Sequence, residues 1–214
     1  MMMIDTRIFY EKCGRIRYIS HLDMNRLMQR ALARARLPVW FTQGFNPHLY
    51  LTFPLPLSLG FESKSEMMDI RLTEPVLPEE VKARLNAQLP EGLSVFEVAP
   101  PQMNAAQIAF CDYTITLPGS VAAQLEAFLS GPIIVQKKTK RGPAEMDIRP
   151  HLILRGLQEQ EGKTQLFLRC AGGPALNVNP SLAMEAFCRE YHREAPDIDY
   201  LKTAVLTAGG ERFC

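Results

Sequence analysis

The spacing of apolar residues changes period several times along the chain. Residues 6–10 and 15–19 set isoleucine and tyrosine between charged neighbours on either side of Gly14, which predicts two short strand segments. The period then becomes helical. Leu22, Met24, Leu27, Met28, Ala31, Leu32 and Ala35 recur at helical intervals until Pro38 stops the run, and Ser20 with Asp23 has the spacing of an N-terminal cap. Residues 39–41 and 50–53 predict extended pieces flanking a Gly44-Phe45-Asn46-Pro47 loop. Strands follow at 67–72 and 93–98, with a helix over 78–88 between them that opens on Pro78, favoured in a first turn. The order is β-α-β-β-α-β.

After the Ala99-Pro100-Pro101-Gln102-Met103-Asn104 stretch, which has the composition of a linker, a similar order returns. It comprises a strand at 108–117, a helix at 121–129, a strand at 133–138, an antiparallel pair at 146–157 and 164–170, a helix at 180–191 and a strand at 198–206. The predicted class is α+β, with two ferredoxin-like βαββαβ lobes in tandem over residues 1–100 and 105–214, each burying one sheet face under two helices. The alternative is one mixed or antiparallel sheet with helices on one face. The repetition lies in element order and not in residue identity.

Composition sharpens this picture in one respect. With 24 Lys plus Arg against 23 Asp plus Glu, the whole molecule has almost no net charge, so attraction to a polyanion requires local clustering. Such a cluster exists. Between Lys12 and Tyr50 there are seven basic residues and one acid, Asp23. Arg26, Arg30 and Arg34 lie one helical turn apart on one face, Arg36 follows at the helix end, and Arg15 and Arg17 precede the cap. Arginine forks suit phosphate, and Tyr18, Trp40, Phe41, Phe45, Tyr50 and Phe53 interleave with them as they do in single-stranded RNA recognition. A solvated helix face and ordinary core packing are the plainer readings of the same residues. Of the aromatics, Trp40 and Phe45 are expected to be partly exposed.

Ser20, His21, Asp23, Gln43, Asn46 and His48 surround the basic face in the sequence, and His21 is the one candidate for acid–base catalysis on RNA or a phosphate ester. Nothing brings His21 and His48 together at the level of sequence. A second basic run, Lys137, Lys138, Lys140 and Arg141, leads into Gly142-Pro143 and reads as a hairpin tip. Glu66 and Asp69, three apart on a strand, point to opposite faces and make a poor metal pair. Five widely spaced cysteines form no cluster-binding run, so no metal site, no cofactor and reduced thiols in a cytoplasmic protein are expected. No stretch approaches the length of a membrane span.

The run from Gly14 to Asp23, with Arg26, Arg30-Ala31-Leu32, Leu37-Pro38, Gln43-Gly44-Phe45-Asn46-Pro47-His48, Pro54-Leu55-Pro56-Leu57, Gly60, Glu66, Asp69-Ile70 and the later Asp147-Ile148-Arg149-Pro150, resembles the radical SAM-linked protein family. The resemblance implies a bacterial domain of unknown function that is fused to a radical SAM protein or encoded beside one, often near genes for ribonuclease G and ribosomal proteins. It therefore implies a radical SAM protein as partner and RNA as ligand. This chain has no CxxxCxxC run, so the cluster chemistry would belong to the partner. The leading expectation is a non-catalytic accessory protein that presents tRNA or rRNA to that enzyme through Arg15, Arg17, Ser20, His21, Asp23, Arg26, Arg30, Arg34, Gln43, Asn46 and His48. The alternatives are a metal-independent RNA- or phosphate-ester-processing enzyme using His21, and a protein–protein adaptor contacting the partner through Phe45 and Trp40.

Overall fold

The computed structural model describes residues 3–139, 142–174, 176–194 and 197–214. The protein is α+β and divides into two compact units, residues 1–105 with Cys214 and residues 106–213.

The first unit begins with strand β1 (Ile4–Lys12), longer at both ends than its apolar pattern predicts because it is paired on both sides. Helix α1 (His21–Arg34) follows, then the two-residue strand β2 (Leu51–Thr52), strand β3 (Glu62–Leu72), helix α2 (Pro78–Asn86) and strand β4 (Leu93–Ala99). Their order across the sheet is β4-β1-β3-β2, antiparallel at every step. Ile8, Tyr10, Met68 and Ile70 point from the sheet into a core with Met24, Met28, Ala31 and Leu32 of α1 and Val81 and Leu85 of α2. Burying these side chains is the main favourable term holding the unit together.

The alternate positions of β1 and β3 face away from that core and carry, beside the apolar pair Phe9 and Met67, two pairs of charges. Arg7 and Asp69 are register partners, as are Asp5 and Arg71. Arg7 is only 2% exposed. Its guanidinium meets Asp69 through both carboxylate oxygens at 2.7 and 2.9 Å, and also donates to Met103 O at 3.0 Å and Cys214 O at 2.7 Å.

The second unit comprises β5 (Ile108–Pro118), α3 (Ala122–Ser130), β6 (Ile134–Thr139), β7 (Gly142–Asp147), β8 (Leu152–Gln160), β9 (Lys163–Ala171), α4 (Pro180–Glu190) and β10 (Asp199–Thr207). Its strands run β10-β5-β9-β8, again antiparallel, while β6 and β7 form a separate two-stranded ribbon. Leu125, Phe128, Met184 and Phe187 of the helices are buried, as are Ile115, Leu166 and Leu168 of the strands. Here too an outward-facing bidentate ion pair ties the first strand to the third, Arg169 to Asp112 at 2.7 and 2.8 Å.

Three expected strands are corrected. Residues 15–19 form no strand: Gly14, at φ +67°, turns the chain out of the sheet, and Gly14–Tyr18 closes into a 3-10 helix. The buried Lys12 ammonium holds this turn by donating to Arg17 O and Ile19 O. Residues 146–157 are likewise not one strand. Asp147 Oδ1 accepts from both Ile133 N and Arg149 N at 2.9 Å, Pro150 follows, and the chain makes a 3-10 turn over Arg149–His151 before β8 begins. Residues 142–147 consequently pair with β6, and only residues from Leu152 onwards pair with β9. Residues 39–41 contribute isolated bridges, Val39 to Leu72 and Phe41 to Leu49, instead of a continuous strand.

Asp69→Ala would remove the carboxylate that accepts two hydrogen bonds from the buried Arg7 guanidinium, and is expected to cost about 3 kcal/mol. Urea denaturation measures this; a loss no larger than that of an ordinary surface substitution, about 0.5 kcal/mol, would refute it.

Candidate anion-binding surface

Helix α1 starts where the sequence marks it. Ser20 Oγ accepts from Asp23 N at 3.1 Å and donates to the Asp23 carboxylate at 2.7 Å, so the hydroxyl is spent on the cap. Because Met24, Met28, Ala31 and Leu32 face the core, Arg26 and Arg30 are turned to solvent. Arg26 makes a 3.4 Å contact with Asp23, exposed on both sides and therefore worth little. Arg34 is engaged differently, donating to Gln88 O at 2.8 Å and to Gln88 Oε1 at 3.4 Å. The end of the helix is closed by Arg84 of α2, which donates to the carbonyls of Ala35 and Arg36, an arrangement that also suits the helix dipole.

Two open clefts flank this face. One, of about 590 Å³, lies between α1 and residues 87–90 and is lined by Asp23, Arg26, Arg30 and Arg34. The other, of about 450 Å³, is lined by Arg26 and Arg30 together with Phe41, Pro47, His48 and Leu49. Arg26 and Arg30 thus form a ridge shared by both.

The far wall of the second cleft is a hairpin over residues 41–49. Thr42 N donates to His48 O at 2.8 Å, and His48 N to Thr42 Oγ1 at 3.1 Å. The His48 ring places Nδ1 3.1 Å from Asn46 O and 3.0 Å from Thr42 Oγ1. Gly44 takes φ +136° at the turn, and Gln43, Phe45 and Asn46 are exposed around it. The Phe45 side chain makes no use of the core, while Trp40 at the hairpin base is half-buried.

The other candidates lie elsewhere. Arg15 and Arg17 sit on the 3-10 turn, Arg17 within 3.5 Å of Glu62 and over the Tyr18 ring. His21 is exposed and meets the Phe53 ring edge-on, 5.1 Å between centroids. It stands at a cavity of about 10 Å³, room for one water, with Tyr10, Lys12 and Glu66. The two histidines therefore line different cavities, and Ser20, His21, Asp23, Arg26, Asn46 and His48 do not gather in one cleft. Glu66 shares the His21 cavity and Asp69 a separate one. Lys137 and Lys138 belong to β6, while Lys140 and Arg141 lie outside the described residues.

Sequence reading passed over a polar pocket of about 340 Å³ lined by Asp5, Arg7, Tyr50, Asp69, Arg71 and residues 101–104. The available signal was the i, i+2 spacing of Asp5 and Arg7 between Ile4 and Ile8, matched by Asp69 and Arg71 around Ile70 on β3. It also passed over Tyr10 and Lys12, charge-capable side chains inside the core. Burial, with the Glu66 carboxylate adding to it, pushes the Tyr10 phenol well above its usual 10.0. Among the described residues no group of three His, Cys, Asp or Glu side chains is placed to hold a metal, and no helix is long and apolar enough to cross a membrane. All five cysteines are free thiols.

These features define an α+β protein of two units, the first presenting an arginine ridge on a capped helix. The chain belongs to the family described as uncharacterized protein conserved in bacteria (DUF2344), whose model matches residues 6–180. Among solved structures it is similar to that of an unknown protein from Galdieria sulphuraria, at 13% identity and a TM-score of 0.28, over 94% of this chain and 99% of that one. No curated protein matches it.

Cap and ridge separate by stability. Ser20→Ala is expected to cost about 1 kcal/mol, whereas Arg26→Ala should stay within about 0.5 kcal/mol of wild type, both read from urea midpoints. The Tyr10 phenol adds a pH dependence. Its folded pKa is raised above the unfolded value of 10.0, so its contribution is fully present below that value and is lost as pH rises through the folded pKa. Urea midpoints should fall above about pH 10, and fall less steeply in Tyr10→Phe.

Proposed function

We propose that this protein binds RNA at the Arg26–Arg30 ridge and presents it to a radical SAM enzyme that modifies or processes tRNA or rRNA. The observation that carries this reading is that the two guanidinium groups stand in solvent, shared by two clefts, with the exposed Phe41 and His48 across one of them. Guanidinium forks pair with phosphate oxygens, and an adjacent aromatic face accepts a base. The basic excess between Lys12 and Tyr50, within a nearly neutral whole, supports an RNA-facing side of the molecule. The radical SAM partner rests on the motif resemblance of residues 14–70, and the bacterial family is in keeping with it. The recurring strand order, last-first-third-second in each unit, supports reading the chain as two split βαβ lobes in tandem.

The test is equilibrium binding of labelled tRNA over a range of salt. Affinity should fall linearly on a log–log plot, and the Arg26→Ala/Arg30→Ala double variant should bind at least tenfold more weakly, with a slope shallower by roughly 1.4. Absent or salt-insensitive binding would end the RNA reading. A second reading, an adaptor for the radical SAM protein, is favoured by the fully exposed Phe45 at the hairpin tip. Co-purification with that protein that survives loss of both arginines but not Phe45→Ser would support it instead.

A further inference from the structure

We propose that the outer face of the first unit's sheet carries a nucleobase subsite, in which one unstacked base of a single-stranded RNA segment packs on the Tyr50–Arg71 pair. The inference rests on the RNA reading above and adds to it the place where a base is held.

Arg71 is presented as a flat surface. Its Nε is held by Asp5 Oδ1 at 2.7 Å, and its guanidinium lies 4.8 Å from the Tyr50 ring centroid and 5.6 Å from that of Trp40. The two rings are themselves 5.6 Å apart. Aromatic rings and guanidinium planes are the surfaces on which proteins stack unpaired bases. The pocket beside them, about 340 Å³, is at the small end of ligand sites, sized for a single base and not for a duplex. Within its lining the buried Arg7 joins Asp69 to main-chain oxygens of Met103 and Cys214.

Charge selects the kind of group. Each carboxylate here is matched by an arginine, Asp5 by Arg71 and Asp69 by Arg7, so the pocket has no excess positive charge to draw a phosphate. An uncharged, planar, hydrogen-bonding group suits it. At the α1 cleft, by contrast, Arg26, Arg30 and Arg34 are met by the single carboxylate of Asp23.

One short hairpin links the two places. Trp40 N donates to Arg71 O at 2.7 Å and Tyr50 N to Trp40 O at 2.9 Å, fixing the hairpin base against β3. Neighbouring residues in extended chain project to opposite sides. Phe41 and Leu49 accordingly line the cleft with Arg26 and Arg30, while Tyr50 lines the pocket with Arg71. A single strand crossing this hairpin would leave phosphates at the ridge and deliver a base to Tyr50.

Trp40 is the protein's sole tryptophan and reports on the pocket through its contacts with Arg71 and Tyr50. The full chain is titrated with a short oligoadenylate RNA, with inorganic polyphosphate and with adenosine monophosphate, following Trp40 fluorescence and, for the labelled RNA, anisotropy. The RNA should change Trp40 emission in step with binding, and polyphosphate should not. Tyr50→Phe should retain affinity, whereas Tyr50→Leu should weaken RNA binding by roughly tenfold and abolish the emission change, with circular dichroism confirming that the variant folds. If Tyr50→Leu does not fold, the contrast between RNA and polyphosphate in the wild-type protein decides. RNA binding with unmoved Trp40 emission would overturn the subsite and leave the ridge reading standing. Loss of all RNA binding would overturn both, and saturation by the mononucleotide as tight as by RNA would assign the pocket to a free nucleotide instead.

Discussion

A guanidinium withdrawn from water has to be met on all sides, and the first unit is arranged around meeting that of Arg7. Asp69 supplies a counter-charge from the neighbouring strand, and main-chain oxygens at Met103 and Cys214 also accept from the guanidinium. The interaction draws together β1, β3, the residues that follow β4 and the far end of the chain, separated by up to 207 positions in sequence. Arg7 can sit there only because the β1–β3 register puts it opposite Asp69; a slip by one residue would turn it into the apolar core and bring Ile8 out.

That register divides the unit into two chemistries. The inner face of the sheet is mostly apolar, with Tyr10, Lys12 and Glu66 buried among its apolar side chains, and is covered by α1 and α2, while the outer face carries two cross-strand ion pairs and the aromatic residues packed on Arg71. The same division orients α1. Its core stripe is fixed against the sheet, and the remaining arc, bearing Arg26 and Arg30, has nowhere to point but solvent. Arg34, one turn further on, is close enough to Gln88 to be taken up in holding α1 to the end of α2. Arginines that are equivalent by spacing are therefore unequally engaged: Arg34 donates to Gln88, while Arg26 and Arg30 are turned to solvent.

The 41–49 hairpin stands between these surfaces. Its internal hydrogen bonds use Thr42, Asn46 and His48 to brace the turn, which leaves Phe41 for one side and Phe45 for the tip. The proposed RNA path follows from this placement, with charge on the helix side and stacking surfaces on the sheet side.

Local pattern was enough for α1, from its Ser20 cap to the stop before Pro38, for the arginine face on it, and for the start of α2 at Pro78, because capping and helical period act within a few residues. The α+β class and the order of the elements were legible for the same reason. Residues 15–19 and 146–157 were misread because Gly14's left-handed turn and the two amides gathered by Asp147 override the strand propensity of their neighbours. The separation of His21 from His48, and the enclosure of Arg7 and Tyr10, depended on partners tens of residues away. Period and composition determine which side chains share a face of an element. Which faces meet, and so which of the many polar residues near the N-terminus stand together in one cleft, was decided by strand register and by the burial that only the folded sheet imposes.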